Sequence, residues 1–162
     1  MKVEIQTSAN GVAEFAAKYI AERIKEKPEF VLGCATGGTV IPLYQKLVEY
    51  SRLGLIDFSR VVTFNLDEYV GLPREHSQSY YSFMSNHLFS HIDISKNNVH
   101  ILNGGVKNLK DECERFEESI INAGGIDLQI LGIGRNGHIA FNEPGSSDNT
   151  VTRIVDLNQD TI

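Results

Sequence analysis

Apolar residues follow two rhythms along this chain. Short continuous apolar runs, bounded by Gly, Pro or Asn, alternate with stretches whose apolar positions fall three and four apart. The runs at 3–5, 30–33, 61–64, 99–102 and 126–131 read as strands. After the first, Ser8 has the chemistry of a helix N-cap, and Val12, Phe15, Ala16, Tyr19, Ile20 and Ile24 recur at helical spacing until Pro28 ends the segment. Ile41, Leu43, Tyr44, Leu47 and Val48 mark a second helix, and 79–89 a third. A charged amphipathic helix spans 107–123, with Leu109, Cys113, Phe116, Ile120 and Ile121 on its apolar face. The run at 126–131 is apolar at successive positions, as in a parallel strand buried on both faces. Alternating strands and helices predict an α/β fold: a doubly wound, mostly parallel, Rossmann-like sheet with helices on both faces. With 162 residues and no repeat or linker, the chain 1–162 reads as one domain.

Three strand ends carry polar residues suited to chemistry, and open α/β sheets bind ligands at the carboxyl ends of their strands. After 126–131 come Gly132, Gly134 and Gly137, then Asn136, His138, Asn142 and Glu143. The glycines match the dinucleotide pattern literally, but that motif opens a helix at its third glycine. Pro144 and the loop composition of 145–149 argue against such a helix, so a loop placing His138 and Glu143 in a cleft is the better reading. A carboxylate near an imidazole fixes its tautomer and raises its basicity. Thr36, Gly37, Gly38 and Thr39 lie between a strand and a helix, where backbone N–H groups and the helix dipole suit a phosphate. The lysine of a Walker A loop is missing, and a plain capping turn is the alternative. The run Asn65, Leu66, Asp67, Glu68, Tyr69 closes a third strand. Adjacent carboxylates in extended chain point to opposite sides, so one would face the cleft and the other a structural partner. An aspartate at a desolvated strand end can serve as general base; a solvated acidic turn is the alternative.

The remaining chemistry narrows the picture little. His87 and His91 sit four apart near a helix end, without a third ligand, so favourable charge at a helix C-terminus is the better reading than a metal. His76 and His100 read as surface or packing residues. Cys34 and Cys113 fit no metal or redox spacing. A net charge of −6 argues against nucleic acid and anionic membranes as partners, though not against a small anionic ligand. No apolar run is long enough to span a membrane, and residues 1–8 hold no secretory apolar segment. The expectation is a cytoplasmic enzyme with reduced thiols.

Taken together, TGGT (36–39), VVTFNLDEYVGLP (61–73), SYYSFM (79–84) and GHIAFNEPGSS (137–147) resemble glucosamine-6-phosphate deaminases across essentially the whole chain. The related 6-phosphogluconolactonases share the glycine turns and a GH pair but usually lack DEYVGLP and FNEP, and rank second. A sugar-phosphate-binding regulator without turnover is a third reading, less suited to a chain that keeps Asp67, His138 and Glu143. The resemblance implies conversion of glucosamine 6-phosphate and water into fructose 6-phosphate and ammonia, with no metal or organic cofactor. It implies that Asp67 moves a proton between C2 and C1 of the open-chain sugar. His138 would open the ring, assisted by Glu143 and Asn136, and Thr36 to Thr39 would hold part of the phosphate. Many members carry aspartate where Asn136 stands; asparagine orients but cannot ionise, so the charge supporting His138 is expected mainly from Glu143. In allosteric members N-acetylglucosamine 6-phosphate binds near the segment matching Ser146 and 153–156, with a lysine where Val155 stands here. The resemblance leaves a homo-oligomer open. It also implies that 1–162 lacks a C-terminal part, including a basic pair of the phosphate site. The run Asp160, Thr161, Ile162 carries no helix-ending signal, and the chain alone is expected to be poorly soluble or partly unfolded, and to bind substrate weakly.

Overall fold

The computed structural model describes residues 2–158; the run Asp160 to Ile162 lies outside the described residues. Four helices, α1 (Ala9–Glu26), α2 (Ile41–Arg52), α3 (Tyr80–His87) and α4 (Leu109–Asn122), alternate with strands β1 (Val31–Cys34), β2 (Val62–Asn65), β3 (Val99–Ile101) and β4 (Leu128–Gln129). All pairings are parallel, in the order β3-β2-β1-β4. Alternate strand residues face opposite sides. Leu32 and Cys34 join α1, α2 and α3 in one core, whereas Val31 and Phe64 pack with Phe116 of α4 in the other. The sheet is therefore doubly wound, as the alternation predicts. Burying Phe64 and Phe116 contributes roughly 1.5–3 kcal/mol each.

The winding sets where a ligand can sit. From β1 the chain steps outward through β2 to β3 with its helices on one face. It then returns over the other face, through α4, to place β4 on the far side of β1. The loops leaving β1 and β4 thus diverge, which opens a crevice at their carboxyl ends. Lys27 donates to both carboxylate oxygens of Asp127 at 2.8 and 2.7 Å, and Val31 N donates to Asp127 Oδ2 at 2.8 Å. This tie fixes the start of β4 beside β1.

Several expectations are corrected. Residues 3–5 form no strand: no described strand pairs with them, and Val3 and Ile5 are exposed. Ser8 does cap α1, accepting from Gly11 N at 3.1 Å. The buried face of that helix, however, is Ala13, Ala17, Ile20, Ala21 and Ile24, while Val12, Phe15 and Tyr19 are exposed. Three alanines four apart let α1 lie close on α2, and that packing outweighs the larger apolar residues next to them. The strand expected over 126–131 shortens to Leu128–Gln129 and is half-buried, because β1 is its only described neighbour. The third helix starts on a Ser79 cap and stops at His87, giving way to a 3-10 turn over Phe89–His91. Among the described residues no helix is long and apolar enough to cross a membrane.

Candidate active site

The three polar strand ends converge. A cavity of about 190 Å³ lies in the crevice, and Thr36, Thr39, Asp67, Tyr80, Gln129 and His138 all line it. Gly37 and Gly38 stand in the same turn but outside the lining, and Asn136 and Glu143 stand behind the imidazole.

The loop after β1 is held from α2. Tyr44 is fully buried, and its hydroxyl accepts from Ala35 N at 3.1 Å and donates to Ala35 O at 2.5 Å. Gly37 then takes φ +107°, a left-handed value that glycine adopts without strain, and a 3-10 turn over Gly38–Val40 leads into α2. The capping positions fall on Gly37 and Val40, neither of which has a side chain able to cap, so the plain capping turn gains no support. Cys34, at the end of β1, has its thiol pushed up to about 12 by burial, which leaves it unreactive.

Two neighbouring carboxylates divide as extended chain requires. Glu68 accepts from Tyr80 N and Tyr81 N, each at 3.0 Å, and so caps the start of α3. Asp67 faces the cavity. Burial, and secondarily the charge of Glu68, raises the Asp67 carboxyl from an ordinary 3.8 to about 7. A carboxylate in that range can both take and return a proton near neutral pH.

The imidazole of His138 is oriented by a relay. Asn136 Nδ2 donates to Glu143 Oε2 at 2.9 Å. With its amide nitrogen committed to the carboxylate, Asn136 presents Oδ1 to His138, lying 3.0 Å from the backbone N and 2.7 Å from Nδ1. That oxygen can only accept, so Nδ1 carries the proton and Nε2 is the basic nitrogen. Glu143 Oε1 accepts from Asn158 N at 3.2 Å. The charge expected from Glu143 therefore reaches the ring through the amide, and Asn136 is more than an accessory.

Glycines shape this loop without building a dinucleotide site. No helix opens at Gly137; the chain forms a tight hairpin in which Ile139 and Asn142 exchange backbone hydrogen bonds of 3.1 and 3.0 Å. A Cβ on Gly134 would fall inside the His138 ring. Gly134→Ala is therefore expected to displace the imidazole. In ¹⁵N NMR the Nδ1-protonated tautomer signal should be lost or mixed; an unchanged spectrum would refute the packing argument.

Sequence reasoning passed over an aromatic cluster. Tyr69, Tyr80 and Phe141 contact one another with ring centroids 5.0, 5.1 and 5.5 Å apart. Burial, then the bond to Tyr69, raises the Tyr80 phenol, keeping it a protonated donor. The signal was present in the alternation of Tyr69 with Asp67 and in Tyr80 directly after the cap at Ser79. Elsewhere, His91 bonds the Asn86 carbonyl at 2.9 Å while His87 packs on Phe83, so the two rings go separate ways. His100 stacks on Phe64 at 4.6 Å, a packing role. Among the described residues no group of three or more His, Cys, Asp and Glu is placed to hold a metal ion.

The family model described as glucosamine-6-phosphate isomerases/6-phosphogluconolactonase matches residues 4–157. A glucosamine-6-phosphate deaminase of Thermoanaerobacter sp. (strain X514) is 53% identical over 162 residues, 100% of this chain and 64% of that protein. The one from Caenorhabditis elegans is 52% identical over 166 residues, 100% of this chain and 62% of that protein. The chain thus spans less than two thirds of the length of these relatives. Among solved structures, a glucosamine-6-phosphate deaminase described as monomeric superposes with a TM-score of 0.96 at 42% identity, covering 99% of this chain and 67% of that one. A 6-phosphogluconolactonase of Thermotoga maritima gives a TM-score of 0.75 at 30% identity, covering 91% and 67%. A match from residue 4 to residue 157 takes in the β1 loop, Asp67 and the His138 loop alike, and the chain belongs to the glucosamine-6-phosphate isomerase/6-phosphogluconolactonase family.

Proposed function

We propose that the protein carrying this chain converts glucosamine 6-phosphate and water into fructose 6-phosphate and ammonia. The observation that carries this reading is a carboxylate raised to about 7 and a tautomer-fixed imidazole on the walls of one cavity. His138 Nε2 takes the hydroxyl proton at C1 and the ring oxygen is protonated, which opens the pyranose. Asp67 then removes the C2 proton as the C1 carbonyl oxygen takes up a proton, giving an enolamine, and returns it at C1 as the amino nitrogen gives one up, so that C1 carries a hydroxyl and C2 becomes an imine carbon. Water adds there and ammonia leaves. The proton shuttle is an isomerisation, in keeping with the family description; only the last step is hydrolytic. Thr36 to Thr39 hold part of the phosphate through backbone N–H groups and two hydroxyls. A cytoplasmic setting suits the two free thiols.

The test is release of ammonia from glucosamine 6-phosphate with matching formation of fructose 6-phosphate. Absence of both, with hydrolysis of 6-phosphogluconolactone instead, would replace this reading by the lactonase one. Regulation offers a separate check. Ser146, Arg153 and Val155 line a second cavity of about 490 Å³. Valine offers a phosphate neither charge nor donor. Hyperbolic kinetics are expected, unchanged by N-acetylglucosamine 6-phosphate; a clear fall in substrate half-saturation on adding it would count against this.

A further inference from the structure

We propose that Tyr44 is a positioning residue for the substrate phosphate: its hydroxyl sets the shape of the turn at 36–39 before a ligand enters. This rests on the reading of Thr36 to Thr39 as the phosphate loop. Ladder pairing of β1 ends at Gly33 toward β4 and at Cys34 toward β2, so Ala35 is the first residue past it. Among the described strands none is left to take its N–H and C=O. Tyr44, one turn into α2, takes both: its hydroxyl accepts from the N–H at 3.1 Å and donates to the C=O at 2.5 Å. A hydroxyl can do the two at once because it carries one donor and two acceptor lone pairs. The ring is fully buried in the core shared by α1, α2 and α3, so close packing fixes where the hydroxyl stands.

The turn needs that hold. Gly37 and Gly38 follow one another, and glycine has more backbone freedom to lose than any other residue. A Cβ at either would meet nothing within 4 Å, so no neighbour packs there to confine them. The N–H groups of Thr36 and Gly37 have no backbone partner among the described residues and can turn to an anion. Thr36 and Thr39 line the smaller cavity on either side of the glycines. The turn is therefore fixed from its two ends. Val40 is buried at the start of α2, and Tyr44 reaches back from the same helix to Ala35. The ring closed in this way restricts 36–40 in the unliganded protein. Order established in folding is not lost again on binding, so affinity for the phosphate rises. Tyr44 itself stands outside the cavity lining and acts only through the turn.

The experiment uses the full-length protein carrying this chain, with inorganic phosphate as a competitive inhibitor of ammonia release from glucosamine 6-phosphate. Tyr44→Phe keeps the ring and removes the hydroxyl. KM and the inhibition constant of phosphate should both rise about tenfold, the effect of ordering roughly one more residue on binding. The kcat should stay within about twofold, as when binding is lost equally from ground and transition states. A clasp that serves stability alone would lower the thermal midpoint and leave KM and the inhibition constant unchanged; that result overturns the proposal. Thr39→Glu tests the underlying reading, since a carboxylate on the exposed turn should repel phosphate and abolish its inhibition. If it does not, 36–39 is not the phosphate loop and the proposal falls with that reading. If it does while Tyr44→Phe changes nothing, only the positioning role fails. Should Tyr44→Phe lose cooperative unfolding, amide hydrogen exchange in the unsubstituted protein decides. Ala35 N–H should be protected without phosphate, and added phosphate should slow Gly37 but not Ala35. An Ala35 amide that exchanges freely until phosphate is added overturns the pre-set turn.

Discussion

Asp67→Asn is expected to leave the fold intact and lower ammonia release by about 10²–10⁴-fold, the usual cost of removing one positioned acid or base. The amide has the shape of the carboxyl but cannot accept the C2 proton. The same substitution should raise stability. The Asp67 carboxyl stands near 7 in the folded protein against 3.8 ordinarily, so the folded state binds more protons than the unfolded one between those values. Stability of the parent must therefore fall as pH rises from about 4 to about 7 and stay lower above that range. Asp67→Asn escapes this loss. Thermal unfolding should show the variant more stable than the parent at pH 8, with the gap closing toward pH 4. Activity in the parent should rise through pH 7 as the base ionises. Near-normal turnover in the variant would show that Asp67 is not the base, and a stability gap between variant and parent that does not widen from pH 4 to pH 8 would show that it is not desolvated.

His138→Gln should separate ring opening from isomerisation. His138 lies beyond β4 and Asp67 beyond β2, so the two face one cavity from different walls. Glutamine can occupy the volume of the imidazole but offers no basic nitrogen at Nε2. Turnover of the cyclic substrate should drop by about 10²–10⁴-fold. Exchange of the C1 and C2 protons in an open-chain analogue, which needs Asp67 but no ring opening, should fall by about tenfold at most. Equal losses on both substrates would refute the division of labour.

The strands, the helices and the convergence of their ends were legible because apolar runs and strand-end polar residues are local signals. Asp67 and Glu68 illustrate the limit. Alternation says that they diverge, but only the position of α3 decides that Glu68 meets Tyr80 N and Tyr81 N while Asp67 faces the cavity. The buried face of α1 was misjudged because size favours Phe15 and Tyr19, whereas close approach to α2 favours Ala13, Ala17 and Ala21. Tyr44 reads as an ordinary core position; that its hydroxyl clasps both polar groups of Ala35 depends on a return of the chain that no periodicity encodes. Phe141 was hidden for a similar reason, since its neighbours come from two other segments of the chain.

The register of β1 and β4 sets Gly33 beside Gln129, and the glutamine side chain fills the space where a Cβ at 33 would be. Gln129 lines the smaller cavity and Gly33 does not. One volume is thus shared between two strands, and the depth of the cavity depends on a residue that no ligand can touch. Enlarging position 33 alone would push the amide toward the ligand and make the cavity shallower. Paired with a smaller residue at 129, the same change could be absorbed. Across relatives the sizes at these two positions should trade against each other, so that substrate fit can drift through a coordinated exchange in the sheet while Asp67, His138 and the threonines stay unchanged.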